Sequence, residues 1–170
     1  MGNTANNIKI KRIVLAALLL ATCVVGANIK IAGSIALDSA AAFIGAIVLG
    51  PVDGAVLGFF GHMISALLSG FPLTLPVHLI IAVMMAVCMF IFALIRQKLG
   101  KRKMGAVIFS DIVGYLINVP LELLLLYPIL KQGVYAFFIP LTLATVVNLV
   151  ICEVIYIVFA DRLSKLVGED

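Results

Sequence analysis

The sequence predicts an all-α integral membrane protein with six transmembrane helices and both termini in the cytoplasm. Of its 170 residues, 64 % are hydrophobic and 12 % are charged, against about 45–50 % and about 25 % in soluble domains. Mean hydropathy is +1.27. The charged residues punctuate the chain at intervals that match lipid-crossing helices, and the basic ones gather in three clusters. Twelve Lys plus Arg against eight Asp plus Glu give a net charge of +4, but they sit at the ends of apolar runs. No basic face is formed, so a nucleic-acid partner is not expected.

Residues 13–29 lie between Arg12 and Lys30 without a charge, and about 20 apolar residues cross the hydrocarbon. The first span is therefore 12–28. Lys9-Ile10-Lys11-Arg12 before it resembles the start of a secretion signal, and Leu20-Ala21-Thr22-Cys23 is similar to a lipoprotein cleavage box. Thr22 is too large for the position before the Cys, so this helix is expected to stay uncleaved. Residues 54–95 carry no charge and are long enough for two spans, 51–68 and 76–96. Ser69-Gly70-Phe71-Pro72-Leu73-Thr74-Leu75-Pro76 marks the turn between them. Pro51 suits a first helical turn and Asp53 the positive end of the helix dipole. Spans 104–126 and 137–160 follow, separated by Tyr127-Pro128 through Gly133.

The stretch 38–50 is decided by orientation. Lys9, Lys11 and Arg12, then Arg96, Lys98, Lys101, Arg102 and Lys103, then Arg162 and Lys165 form clusters typical of cytoplasmic ends. Placing all three inside requires an even number of crossings between Arg12 and Arg96, so 38–50 supplies a span. Ten basic residues then face the cytoplasm and two, Lys30 and Lys131, face outward. The whole chain, 1–170, reads as one membrane domain.

Lipid gives helices no hydrophobic reason to associate, so close backbone approach between small residues matters. Ala17 and Ala21, Ala42 and Ala46, and Gly50, Gly54 and Gly58 each repeat every four residues on one face. For the second and third helices this reads as an internal packing seam. Cys23, Cys88 and Cys152 are scattered through apolar segments, which suits core filling rather than a disulfide framework or zinc site.

Polar groups inside the membrane are costly and persist where they are paired or used. Asp38, His78, Asn118 and Glu122 fall in the outer half of the predicted bundle, beneath the connections 28–37 and 127–137. They form a candidate substrate-binding set, to which His62 and Asn148, nearer mid-membrane, are added. Asp38 has a second reading as the cap of helix 2. His62 has one as a packing residue, and His78 stands between the two roles. Glu122 and Asn118, four apart, point into one space, and no basic residue in their span neutralises Glu122. Asp111 and Glu153 read as partners of cytoplasmic Arg or Lys. No phosphate-binding G-x-x-x-x-G-K-[ST] loop, H-E-x-x-H, G-x-S-x-G or Cys/His ligand cluster occurs in the sequence. No catalytic residue, metal ligand or cofactor is nominated, and the chain is not expected to be an enzyme.

The chain resembles the substrate-binding S component of energy-coupling factor (ECF) vitamin transporters. The residues that carry the likeness are Ala17-Leu18-Leu19-Leu20-Ala21, Leu49-Gly50-Pro51-Val52-Asp53-Gly54-Ala55, Gly58-Phe59-Phe60-Gly61-His62 and Ser65-Ala66-Leu67-Leu68-Ser69-Gly70. The resemblance implies a multi-pass protein of a prokaryotic cell membrane that binds a vitamin or vitamin precursor from outside. It implies docking on a transmembrane coupling subunit served by two cytoplasmic ATPase subunits, with Ala17 and Ala21 as the docking face. Toppling of the whole subunit would move the substrate, under a lid spanning Gly26 to Leu37. The stretch Leu37 to His78 is most similar to members that take up α-ribazole, a cobalamin precursor. Alternatives are another vitamin (folate, pantothenate, thiamine or a pyrimidine precursor) or a stand-alone secondary carrier. Met1-Gly2 departs from the Met-His start of nickel and cobalt members, which speaks against a metal substrate.

Overall fold

Among the described residues the regular structure is helical apart from one two-residue-per-strand hairpin. The structure, a computed structural model, describes residues 2–28, 30–31, 35–36 and 38–168. In chain order the elements are α1 (Gly2–Ala27), β1 (Lys30–Ile31), β2 (Ile35–Ala36), α2 (Ala40–Leu49), α3 (Pro51–Leu68), α4 (Leu75–Leu99) and α5 (Met104–Leu116). A π turn (Ile117–Leu121), α6 (Glu122–Leu130), a 3-10 turn (Lys131–Gly133) and α7 (Val134–Val167) complete the chain. The strands pair antiparallel, Lys30 with Ala36 and Ile31 with Ile35. Part of the expected lid, including Gly33 and Leu37, lies outside the described residues.

Among the described residues four stretches are long and apolar enough to cross a membrane: Asn6–Ala27, Pro51–Leu68, Leu75–Leu99 and Met104–Val167. The last contains two antiparallel limbs, α5–α6 and α7, folded at the 3-10 turn. Asn118 bonds Thr145 about midway along the limbs, and Arg102 bonds Asp161 at the end away from the turn. The helix breaks later than the sequence suggests, because Pro128 falls in the final turns of α6 and the chain turns only at Lys131–Gly133.

Helix α2 is the core. All ten of its residues are buried, between α1, α3, α4 and α7. It is shorter than the expected span, because it begins at Ala40 and not at Asp38. Ten residues rise about 15 Å, half of the roughly 30 Å hydrocarbon layer. Phe43 meets Phe92 of α4 edge to face, with ring centroids 4.9 Å apart. The small residues make these approaches possible. A Cβ on Gly54 would lie 2.7 Å from Ala46 Cα, and one on Gly58 would lie 2.9 Å from the Met85 carbonyl oxygen. The packing seam read from the sequence thus joins α2 to α3 at Ala46 and Gly54, and α3 to α4 at Gly58.

One end of the bundle is basic and tied together by charge. Arg12 donates to the Leu49 carbonyl at 2.5 Å and to Asp53 at 2.8 Å, which closes the last turn of α2 before Gly50 reverses the chain at φ +102°. Ile8 of α1 packs against Gly168 after α7. Arg96 is fully buried and reaches Glu153 at 3.0 Å, between the rings of Phe92 and Tyr156 at 5.8 and 5.6 Å. Glu153 therefore pairs with an arginine of the basic cluster, Arg96, and does so inside the bundle. Asp111 is less well served, since its Oδ1 has no hydrogen-bond partner.

Candidate functional site

At the opposite end, beyond the N-terminus of α2, the helices enclose a cavity of about 290 Å³ that opens to one side. Asp38, His62, His78, Asn118, Glu122 and Asn148 all line it. The rest of the wall is largely apolar, with Leu73, Ile81, Met85, Leu123, Phe137 and Leu141 among its residues. Apolar walls with a few placed polar groups are the usual make-up of a small-molecule site.

The polar wall from α5–α6 is shaped by Pro120. Proline has no N–H, and its ring clashes with the carbonyl four residues back, so the helix widens there into the π turn. The Glu122 N–H bonds the Ile117 carbonyl five residues back. Such single wide turns recur at functional sites. Asn118 and Glu122 are both buried, at 4 % and 3 % exposure, and both face the cavity. Asn118 donates to Thr145 Oγ1 at 2.8 Å, and Thr145 in turn donates to the Leu141 carbonyl at 2.8 Å. Asn118 Oδ1 and Glu122 Oε2 remain without a partner in the protein.

Histidines on two helices meet at the cavity. His62 Nε2 of α3 is 3.2 Å from His78 Nδ1 of α4, so His62 does not stand alone as a packing residue. The Leu73 N–H donates to His78 Nε2 at 3.4 Å. A neutral His78 that accepts at Nε2 keeps its proton on Nδ1 and gives it to His62 Nε2, which fixes the tautomers of the pair. The loop that supplies Leu73 is strained. Phe71 and Thr74 have φ of 50° and 77°, values that cost of order 1–3 kcal/mol in residues other than glycine. In return the Phe71 ring packs 5.7 Å from His78.

Asp38 does not cap helix 2. It lies one residue before the N-cap position, half-buried, and shares a hydrogen bond with Ser65 of α3. Ser39 occupies the N-cap position without a side-chain cap bond. The cap comes from Asn148 of α7, whose Oδ1 accepts the Ala40 N–H at 2.9 Å while its Nδ2 donates to the Ala144 carbonyl at 2.9 Å. Sequence reasoning missed Ser65 and Thr145. The spacing of Ser65, three residues after His62 on one helix face, was the available signal.

Ala17 and Ala21 are exposed on the side of α1 that also carries exposed Val14, Leu18 and Val25. The other side of α1 buries Leu19 and Cys23, with Cys23 against Gly61. Among the described residues no group of three or more His, Cys, Asp or Glu is arranged to hold a metal ion. The arrangement is one that can enclose and hydrogen-bond a small molecule.

The family model described as "ECF transporter, substrate-specific component" matches residues 11–160. No curated protein and no solved structure matches the chain.

Proposed function

Because the chain belongs to the substrate-specific (S) component family of ECF transporters, a family of multi-pass cell-membrane transporter subunits, we propose that it captures a vitamin or vitamin precursor at high affinity in the cavity beyond α2. Membership implies two kinds of partner, a substrate and an energising module. In our reading the module consists of a transmembrane coupling subunit and two cytoplasmic ATPase subunits, and Ala17 with Ala21 is the face that docks on the coupling subunit. The chain crosses the membrane six times with both ends inside. In this arrangement α2 and the segment before it supply the second crossing, and the basic end of the bundle faces the cytoplasm.

The observation that carries the reading is convergence. Six polar residues from α3, α4, α5–α6, α7 and the segment before α2 line one largely apolar cavity, at the end away from Arg12, Arg96 and Arg102. The substrate set proposed is Asp38, His62, His78, Asn118, Glu122 and Asn148. Asn148 acts mainly by holding the start of α2. α-Ribazole is the first ligand to try, with its base against the apolar wall and its sugar hydroxyls toward Asn118 and Glu122.

The test has two parts. Native mass spectrometry of the detergent-purified chain reads the mass of any retained small molecule. Proteoliposomes then compare the chain alone with the chain plus its energising module. Binding alone and ATP-dependent uptake only with the module is the expected outcome. Uphill transport by the chain alone would make it a secondary carrier and end the proposal.

A further inference from the structure

The cavity has an uneven supply of hydrogen-bonding groups. Among the described residues that line it none is Lys or Arg, while two, Asp38 and Glu122, are carboxylic acids. Several donors at its polar wall are turned toward the protein. Asn118 gives an N–H to Thr145, Thr145 gives its hydroxyl hydrogen to Leu141, and Asn148 gives an N–H to Ala144. His78 gives its ring proton to His62 in the tautomers fixed by the Leu73 N–H. Two buried oxygens are left without a partner, Glu122 Oε2 and Asn118 Oδ1, on side chains more than nine-tenths buried. A buried acceptor without a donor is costly, and a bound molecule is what can satisfy these two. Lys131 is exposed in the turn beyond α6 and does not line the cavity.

We infer that the cavity selects its occupant by charge: it takes a neutral or cationic nutrient that offers hydrogen-bond donors to Glu122 Oε2 and Asn118 Oδ1, and it rejects the phosphate-ester and carboxylate forms of the same compound. Two properties of the site act together. An anionic group entering this space meets the carboxyl groups of Asp38 and Glu122 and no Lys or Arg to pair with, in a low-dielectric setting where an unpaired buried charge is costly. It also brings only acceptors to the unpartnered Asn118 Oδ1, which needs a donor. A hydroxyl pair, an amine or an amino-substituted ring edge satisfies both conditions. This selection rests on the binding reading above and sharpens it, since that family reading by itself admits carboxylate-bearing vitamins such as pantothenate and folate.

The experiment uses matched pairs on the full chain in lipid nanodiscs, with titration calorimetry at neutral pH. The pairs are α-ribazole and its 5′-phosphate, thiamine and thiamine monophosphate, and pantothenol and pantothenate. In any pair with a binding member, the member lacking the anionic group is expected to bind at least about a hundredfold tighter, roughly 2.7 kcal/mol. Glu122→Gln, which keeps the shape and removes the ionisable group, should shrink that gap by about tenfold or more. Asp38→Asn at the half-buried position serves as the second variant if Glu122→Gln does not fold. An anionic member that binds within about tenfold of its partner, or a gap unchanged in both variants, overturns the selection while leaving substrate binding intact. Failure of every compound to bind, together with no uptake of any of them in the presence of the energising module, overturns the binding reading and this inference with it.

Discussion

Gly54→Ala tests the packing account most directly, because it adds one methyl group where the geometry says none fits. The new Cβ would lie 2.7 Å from both Cα and Cβ of Ala46, whereas carbon atoms pack at about 3.5–4.0 Å. About 1 Å must be found. Neither obstructing atom can rotate away, since one is backbone and the other is fixed to it. Helix α2 is buried along its whole length, so any shift passes into α1, α4 and α7. Overpacking of this kind costs about 1–3 kcal/mol, and we take the upper end. Replacing glycine inside a helix returns about 1 kcal/mol of propensity. The expected net loss is about 2 kcal/mol, or a fall in melting temperature of roughly 4–8 °C for a chain of this size. Gly105→Ala is the matched control. It lies in α5 with nothing within 4 Å of the added carbon, so it should melt level with the parent or up to about 2–4 °C higher. The chain has no Trp, but Cys23, Cys88 and Cys152 are free and buried, so a thiol-reactive dye added during heating reports unfolding. A Gly54→Ala protein that melts at or above the parent would refute the claim that α2 and α3 meet backbone to backbone.

Three further outcomes are expected. Ala17→Trp should abolish uptake by the assembled transporter while ligand binding by the isolated chain stays within about twofold of the parent, as a docking face exposed on α1 requires; undiminished uptake removes the docking claim. Glu122→Ala should weaken ligand binding at least about tenfold, roughly 1.4 kcal/mol, and an unchanged affinity in calorimetry strikes Glu122 from the site. Arg96→Met should destabilise the fold by about 3–5 kcal/mol, since it leaves Glu153 buried without its partner. Adding Glu153→Leu should recover much of that loss in the thermal assay, and a double variant no better than the single one would show that the pair is not coupled.

Much of the helical layout was legible because charge and proline mark helix ends in a membrane protein. The turn at Ser69–Thr74, Pro51 at the start of α3 and the glycine row of α3 are all local signals. The six candidate polar residues were legible for the same reason, since a polar side chain in an apolar run is conspicuous. Their partners were not. The contact between His62 and His78, the capping of α2 by Asn148 and the union of Arg96 with Glu153 join residues far apart in sequence, and nothing local specifies which faces will meet. The π turn had a sequence signal in Pro120, two residues after Asn118, but proline permits a kink, a break or a wide turn, and tertiary packing selects among them. The early start given to helix 2 has a related cause. Asp38 and Ser39 both have the chemistry of a cap, and the bond that fixes the first turn comes from α7 instead.

The brevity of α2 explains where the binding space comes from. A helix about half as long as the hydrocarbon layer is thick leaves room beyond its first turn, and the surrounding helices become the walls of the gap. The vestibule is therefore the absent upper portion of a rod, and its depth is set by where that rod begins. Adding turns ahead of Ala40 would plug it and displace Asp38, while the polar residues on α3, α4 and α5–α6 stayed unaltered. Trimming or remodelling the segment before Ala40 would resize it for a different guest while the four-helix frame stayed as it is.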